Sequence, residues 1–200
     1  MEKQQVNQKK KRIEEFIVET ASEIFRKFGF KKTTIDDIAA AAHKGKSSLY
    51  YYFSSKEDIF NAVVNKEARN LKEELEKVIN DSSLSPKEKL MQYIVVRMER
   101  VKELVNYYEA LKSEYLSHYD FIDQIRQKHD EWEIESIQKI LNEGVSKGSF
   151  DVEDTYLTAM GIVVAMKGLE IPLFLKQQIS DSEEKIKHLL NILFYGICKK

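Results

Sequence analysis

The sequence predicts an all-α protein, and three observations carry that expectation. Its 200 residues include seven glycines and two prolines, too few to punctuate a series of hairpins. Apolar residues recur at three- and four-residue spacing along most of the chain, which is the period of a half-buried helix. Strict apolar/polar alternation, the mark of a half-buried strand, is scarce. With 42% apolar side chains, the chain can bury the core of one ordinary domain or two small ones.

Each element has a local reason. Ile13, Phe16, Ile17, Thr20, Ala21, Ile24, Phe25 and Phe28 mark an amphipathic helix over residues 9–28, stopped at Gly29. The Lys/Gln-rich residues 1–8 ahead of it are expected to be disordered. Thr33 and Thr34 offer a cap, and Asp36 and Asp37 first-turn acids, for a second helix through the alanines 39–42. Its small side chains let another helix approach closely, as a helix-turn-helix requires. A third helix begins near Lys46. A fourth begins after Ser55, which stands at capping-box spacing from Asp58, and runs to about Ile79. Residues 81–86 read as a linker, with Pro86 suited to the first turn of the next helix. Beyond it, residues 86–117, 119–147, 152–177 and 181–199 are helical by pattern, and the first of these is long enough to be two helices.

Composition narrows the function. Residues 1–60 hold 12 Lys+Arg against 9 Asp+Glu, whereas residues 61–200 hold 20 against 24, so an anionic partner is expected at the N-terminal end. The single cysteine, Cys198, can form neither an intramolecular disulfide nor a metal cluster. The start, MEKQQVNQKKKRIEEF, lacks the apolar stretch of a secretory leader, and the apolar run 159–166 is too short to span a bilayer, so a cytoplasmic protein with no membrane partner is expected. His43, His118, His129 and His188 are scattered, without the spacing of a metal helix, and no phosphate loop or nucleophile elbow is present. No enzymatic activity, metal or cofactor is expected.

The stretch HKGKSSLYYYF, from His43 to Phe53, concentrates hydroxyls and cations. On a helix from Lys46, Leu49 and Phe53 share one face, Ser47 and Tyr51 take the opposite one, and Ser48 and Tyr50 sit on the shoulders. Serine and tyrosine hydroxyls bond phosphate oxygens or base edges, and lysine neutralises phosphate charge, so the exposed strip suits a nucleic-acid groove.

The run GFKKTTIDDIAAAAHKGKSSLYYYFSSKEDIFNAVV resembles the N-terminal DNA-binding region of the TetR family of bacterial transcriptional regulators. Phe25, Gly29-Phe30, Thr33-Thr34-Ile35, Asp37-Ile38-Ala39, Ala42, Lys46, Leu49 to Phe53 and Ser55-Lys56-Glu57 carry the likeness, which covers about residues 10–65. It implies a DNA-binding domain over residues 1–55, with 46–52 as recognition helix, and an effector-binding and dimerisation domain over residues 56–200. It also implies DNA contacts from Thr34, Lys46, Ser47, Ser48, Tyr50, Tyr51 and Lys56, with Thr34 and Lys56 on phosphate and Lys46, Ser47 and Ser48 at or near base edges. Thr33, at the helix start that favours an anion, and Lys44, a cation near the groove, join them as candidates from the residues themselves. The family's usual Gly-Val-Ser turn is His43-Lys44-Gly45 here. Histidine tolerates the left-handed region and glycine can cap a helix, so the turn can still form.

In the C-terminal two thirds, Gly161, Ala165 and Gly168 form a stripe of small side chains, with a kink expected at Pro172. Ile186, Leu190, Leu193, Phe194 and Ile197 form an apolar face. The resemblance implies that these two surfaces make a homodimer interface, which sets the spacing of two half-sites. It further implies a pocket in the bundle, with Met98, Tyr107, Tyr108, Tyr115, His118, Trp132 and Met166 as candidates to hold a small amphipathic or lipophilic effector. The expected function is a ligand-responsive repressor acting as a homodimer on a palindromic site in double-stranded DNA. The alternative is an effector-independent nucleoid-organising protein built on the same module.

Overall fold

The computed structural model describes residues 2–100, 104, 106, 120–170, 191 and 195. The fold is all-α, and seven helices are formed among the described residues: α1 (Glu2–Phe28), α2 (Ile35–Ala41), α3 (Lys46–Tyr52), α4 (Lys56–Asn80), α5 (Pro86–Arg100), α6 (Asp120–Ser146) and α7 (Thr155–Glu170). The region expected beyond α7, including Pro172 and the apolar face from Ile186 to Ile197, lies outside the described residues apart from Asn191 and Tyr195.

Residues 2–8, expected to be disordered, continue α1 instead. Glu, Lys and Gln are good helix formers, and extending a nucleated helix adds one hydrogen bond per residue fixed. At the other end Gly29 stops α1 with φ 78, a conformation glycine adopts without strain. Its N–H donates to Phe25 O at 2.7 Å, closing the last turn.

Two compact units divide the chain: Met1–Arg69 with Val105–Asp123, and Asn70–Leu104 with Gln124–Lys200. A boundary between residues 55 and 56 falls inside the first of these, because the start of α4 supplies part of its core. Phe60 of α4 meets Phe25 edge-on at 5.0 Å between centroids and Phe30 at 4.7 Å. Around these rings Ile17, Ala21, Ile38, Leu49 and Ile59 are fully buried. Each such side chain contributes about 1.5–3 kcal/mol relative to exposure, smaller alanine less. A polar anchor accompanies them. The buried Asn106 amide donates to Glu67 Oε1 at 2.8 Å and to the Ser22 carbonyl at 3.2 Å, tying α1 and α4 to a segment distant in sequence.

In the second unit, Pro86 opens α5 as its sequence position suggests. Ser85 and Glu88 close a capping box, with Ser85 N–H on Glu88 Oε2 at 2.8 Å and Glu88 N–H on Ser85 Oγ at 3.3 Å. Leu90, Tyr93, Met98, Ile137, Leu141 and Ala159 fill the interior. A Cβ on Gly144 would lie 2.1 Å from the Phe150 ring, so glycine lets the chain fold back tightly after α6. Among the described residues no helix is long and apolar enough to cross a membrane.

Candidate nucleic-acid interface

α2 is closed at both ends by its own neighbours. Thr34 is its N-cap: the Thr34 hydroxyl accepts from Asp37 N–H at 3.2 Å, and Asp37 Oδ2 accepts from Thr34 N–H at 2.8 Å. The Thr34 hydroxyl also donates to Asp37 Oδ2 at 2.6 Å, and this bond, with that from the Thr34 N–H, holds the Asp37 carboxyl below its ordinary pKa. At the C-terminal end, His43 N–H donates to Ala40 O at 3.1 Å and Lys44 N–H to Ala39 O at 2.9 Å, with His43 at φ 51. This is the Schellman arrangement, with histidine in the left-handed position usually given to glycine.

The turn delivers α3. Gly45 caps it with extended backbone and no side-chain hydrogen bond. Leu49 is fully buried and Phe53 closely so, which pins one face to the core. The opposite face is open: Tyr51 is 69% and Tyr50 49% exposed, with Ser47 exposed and Ser48 half-buried on the same outer surface. Tyr52 is half-buried and packs edge-on against Tyr51 at 5.0 Å, steadying it. Lys44 and Lys46 are exposed beside this strip. Lys46 Nζ lies 2.8 Å from Asp36 Oδ2, and that hydrogen bond raises the lysine pKa. The pair is solvent-exposed and can exchange Asp36 for phosphate at little cost.

Two expected contacts take other positions. Thr33 is 2% exposed, and its hydroxyl donates to Gly29 O at 2.8 Å, so it braces the turn after α1 rather than facing a ligand. Lys56 is half-buried, and its ammonium donates to the carbonyls of Phe30 and Thr33, each at 2.9 Å, while lying 4.3 Å from the Phe30 ring centroid. Where the resemblance puts Lys56 on phosphate, two carbonyl acceptors already satisfy two of its three donors. Thr34 remains exposed, with its hydroxyl engaged in the capping box.

Two short helices joined by a four-residue turn, the second with one face buried and one polar face open, form a helix-turn-helix. Residues 17–63, which contain it, match the profile of the family described as bacterial regulatory proteins, tetR family. The chain belongs to this family. It is 32% identical over 66 residues to an uncharacterized HTH-type transcriptional regulator, YhgD, of Bacillus subtilis, a match covering 33% of this chain and 35% of the relative. It is 30% identical over 139 residues to the HTH-type transcriptional repressor KstR2 of Mycolicibacterium smegmatis, covering 67% of this chain and 65% of that one. The chain thus spans from about a third to just under two thirds of the length of these curated relatives. Among solved structures, a candidate fatty acid metabolism regulator from Clostridium perfringens is 28% identical, with a TM-score of 0.70 over 92% of this chain and 100% of that one.

Of the effector-binding candidates, Met98, Trp132 and Met166 belong to the second unit of this tetR-family chain. Met98 and Met166 are buried and Trp132 is half-buried; Tyr107, Tyr108, Tyr115 and His118 lie outside the described residues. The same interior contains polar groups that sequence reading did not single out. Arg97 grips Glu133 through two bonds of 2.8 and 3.2 Å, and His129 Nδ1 lies 3.3 Å from the same carboxylate. Burial pushes the Glu133 carboxyl up, but Arg97 and His129 outweigh it and hold Glu133 ionised well below its ordinary range. His129, Asp130 and Glu133 could geometrically surround a cation. The Arg97 charge on Glu133 and the Lys167 ammonium on Asp130 already neutralise that site. On α7, Gly161, Ala165 and Gly168 are exposed, and nothing lies within 4 Å of a Cβ built on Gly161 or Gly168.

Proposed function

We propose that the chain is a ligand-responsive transcriptional repressor that acts as a homodimer on a palindromic duplex operator. The observation that carries this reading is α3, whose buried Leu49 fixes a face of Ser47, Tyr50 and Tyr51 outward behind a turn made by His43. Such a helix reads base edges with its short hydroxyls and holds the phosphate backbone with its tyrosines and lysines.

A single α3 offers few contacts, and a second copy doubles them while fixing the half-site spacing. The open stripe on α7 supports that assembly. Leu157 at 55% and Val164 at 63% exposure flank Gly161, Ala165 and Gly168, an apolar face that permits close approach by an identical helix. For the effector, the support is the methionine-bearing interior around Tyr93, whose buried hydroxyl has no partner among the described residues. Leaving such a group unpaired is costly, so an amphipathic ligand with one hydrogen-bonding group fits better than a pure hydrocarbon. The effector must prefer the state that does not bind operator, and by linkage the operator weakens effector binding equally.

Selection of bound sequences from a random duplex pool at moderate salt tests the reading. The expected result is one motif with two inverted half-sites, and Ser47→Ala should alter base preference within it. Salt-sensitive binding without any motif would favour the nucleoid-organising alternative.

A further inference from the structure

α1 carries its core-facing stripe past the end of the core. Counting back from the fully buried Ala21 and Ile17, the stripe passes the half-buried Ile13 and reaches Lys10 and Val6 at the same three- and four-residue steps. There is no core to receive them: Val6 is 66% exposed and Lys10 is exposed. What lies against Lys10 is the recognition helix, since its Nζ stands 5.2 Å from the centroid of the Tyr51 ring. Lys9 and Lys11 flank it, also exposed, and no acidic residue occurs between Glu2 and Glu14. Lys11 pairs with Glu15 at 3.9 Å, but the pair is exposed on both sides and readily exchanged.

A basic helical extension that buries little is poorly rewarded within one chain, and it is aligned with the most exposed tyrosine of α3. From Glu2 to Lys10 the helix extends about 12 Å at 1.5 Å per residue, about the width of the major groove. With Tyr51 at the duplex, this turn of α1 reaches the phosphate rim of the groove that α3 enters.

We propose that the N-terminal extension of α1 is a second DNA-contacting element, in which Lys10, flanked by Lys9 and Lys11, neutralises backbone phosphate beside Tyr51. It adds affinity without base preference. The proposal rests on the reading of α3 as the recognition helix. Arg12 is the internal control, because two residues on from Lys10 it projects from the opposite side of α1.

The test measures how binding to duplex carrying the selected motif, or to mixed-sequence duplex, depends on salt for the full-length protein, Lys10→Gln, Lys10→Arg and Arg12→Gln. Lys10→Gln should bind every duplex several-fold more weakly and flatten the slope of log K against log salt by about 0.9, the value of one phosphate contact. Lys10→Arg should retain the slope, and Arg12→Gln should leave it unchanged. If the parent protein binds duplex but Lys10→Gln keeps its slope, or if Arg12→Gln lowers it equally, the extension is a solvated surface and this proposal alone falls. Failure of the parent to bind any duplex overturns the recognition-helix reading as well. Binding of the parent to vesicles of anionic lipid, lost in Lys10→Gln while the DNA slope stays, would assign the basic face to a membrane surface instead.

Discussion

α2 and α3 have the same length of seven residues and sit on either side of one turn, yet they are stabilised in different ways. α2 closes its own ends, with the Thr34–Asp37 box at the start and the His43 turn at the finish. α3 starts at Gly45 with no side-chain cap and relies on Leu49 and Phe53 reaching the core. Helices this short are unstable alone, so each needs external support. The difference teaches a division of labour: the scaffold helix spends its polar side chains on itself, whereas the reading helix borrows stability from the core and keeps Ser47, Tyr50 and Tyr51 for a partner.

The sharpest way to break that comparison is to remove the anchor of α3. Leu49→Ala should destabilise the protein by about 2–5 kcal/mol, through lost transfer energy and the cavity left behind, with loss of sequence-specific DNA binding. Chemical denaturation and a binding assay read the two effects. A loss below about 1 kcal/mol, closer to what a surface substitution causes, would mean that α3 is held by something other than its buried face.

Removing the self-made cap of α2 should have a smaller effect. Thr34→Ala is expected to cost about 1 kcal/mol at neutral pH. Part of this depends on Asp37, whose pKa is lowered in the folded state by the Thr34 hydrogen bonds. A depressed folded pKa stabilises above the ordinary aspartate value and is lost as pH falls through the lowered one. The gap between parent and Thr34→Ala should therefore be constant near neutrality and shrink below about pH 4. It should not vanish, because the Thr34 hydroxyl also caps Asp37 N–H without any charge. A gap independent of pH would show that the carboxylate contributes nothing to the cap.

What was legible in the sequence follows the same division between local and distant causes. Gly29, Pro86, the Ser55–Asp58 spacing and the stripe of α1 act over a few residues, and their outcomes could be read from spacing. The left-handed backbone of His43 followed from the resemblance, which puts a glycine at that position, and from histidine's tolerance of that conformation. Interactions between distant positions left no local trace. The burial of Thr33 is set by how the turn folds under α4, and Lys56 finds the carbonyls of Phe30 and Thr33 across more than twenty residues. Arg97 and Glu133 are 36 positions apart on helices whose charged residues all resemble solvated ones. Asn106, Glu67 and Ser22 are likewise ordinary polar residues until the fold buries them together.

The least disruptive change asks whether the missing cap of α3 serves a purpose. At Gly45 the backbone is extended at φ −73, and an added Cβ would meet nothing nearer than Ser47 Oγ at 3.8 Å, so serine fits without strain. Its hydroxyl would be placed to accept from Ser48 N–H, giving α3 the kind of cap that α2 already has. Gly45→Ser should stabilise the protein by a few tenths of a kcal/mol, from the cap and from reduced freedom of the unfolded chain. If α3 is a rigid reader, a better-ordered start should raise operator affinity a few-fold with base preference unchanged. If affinity instead falls while stability rises, the uncapped N-terminus takes part in binding, and the contrast between α2 and α3 is functional as well as structural.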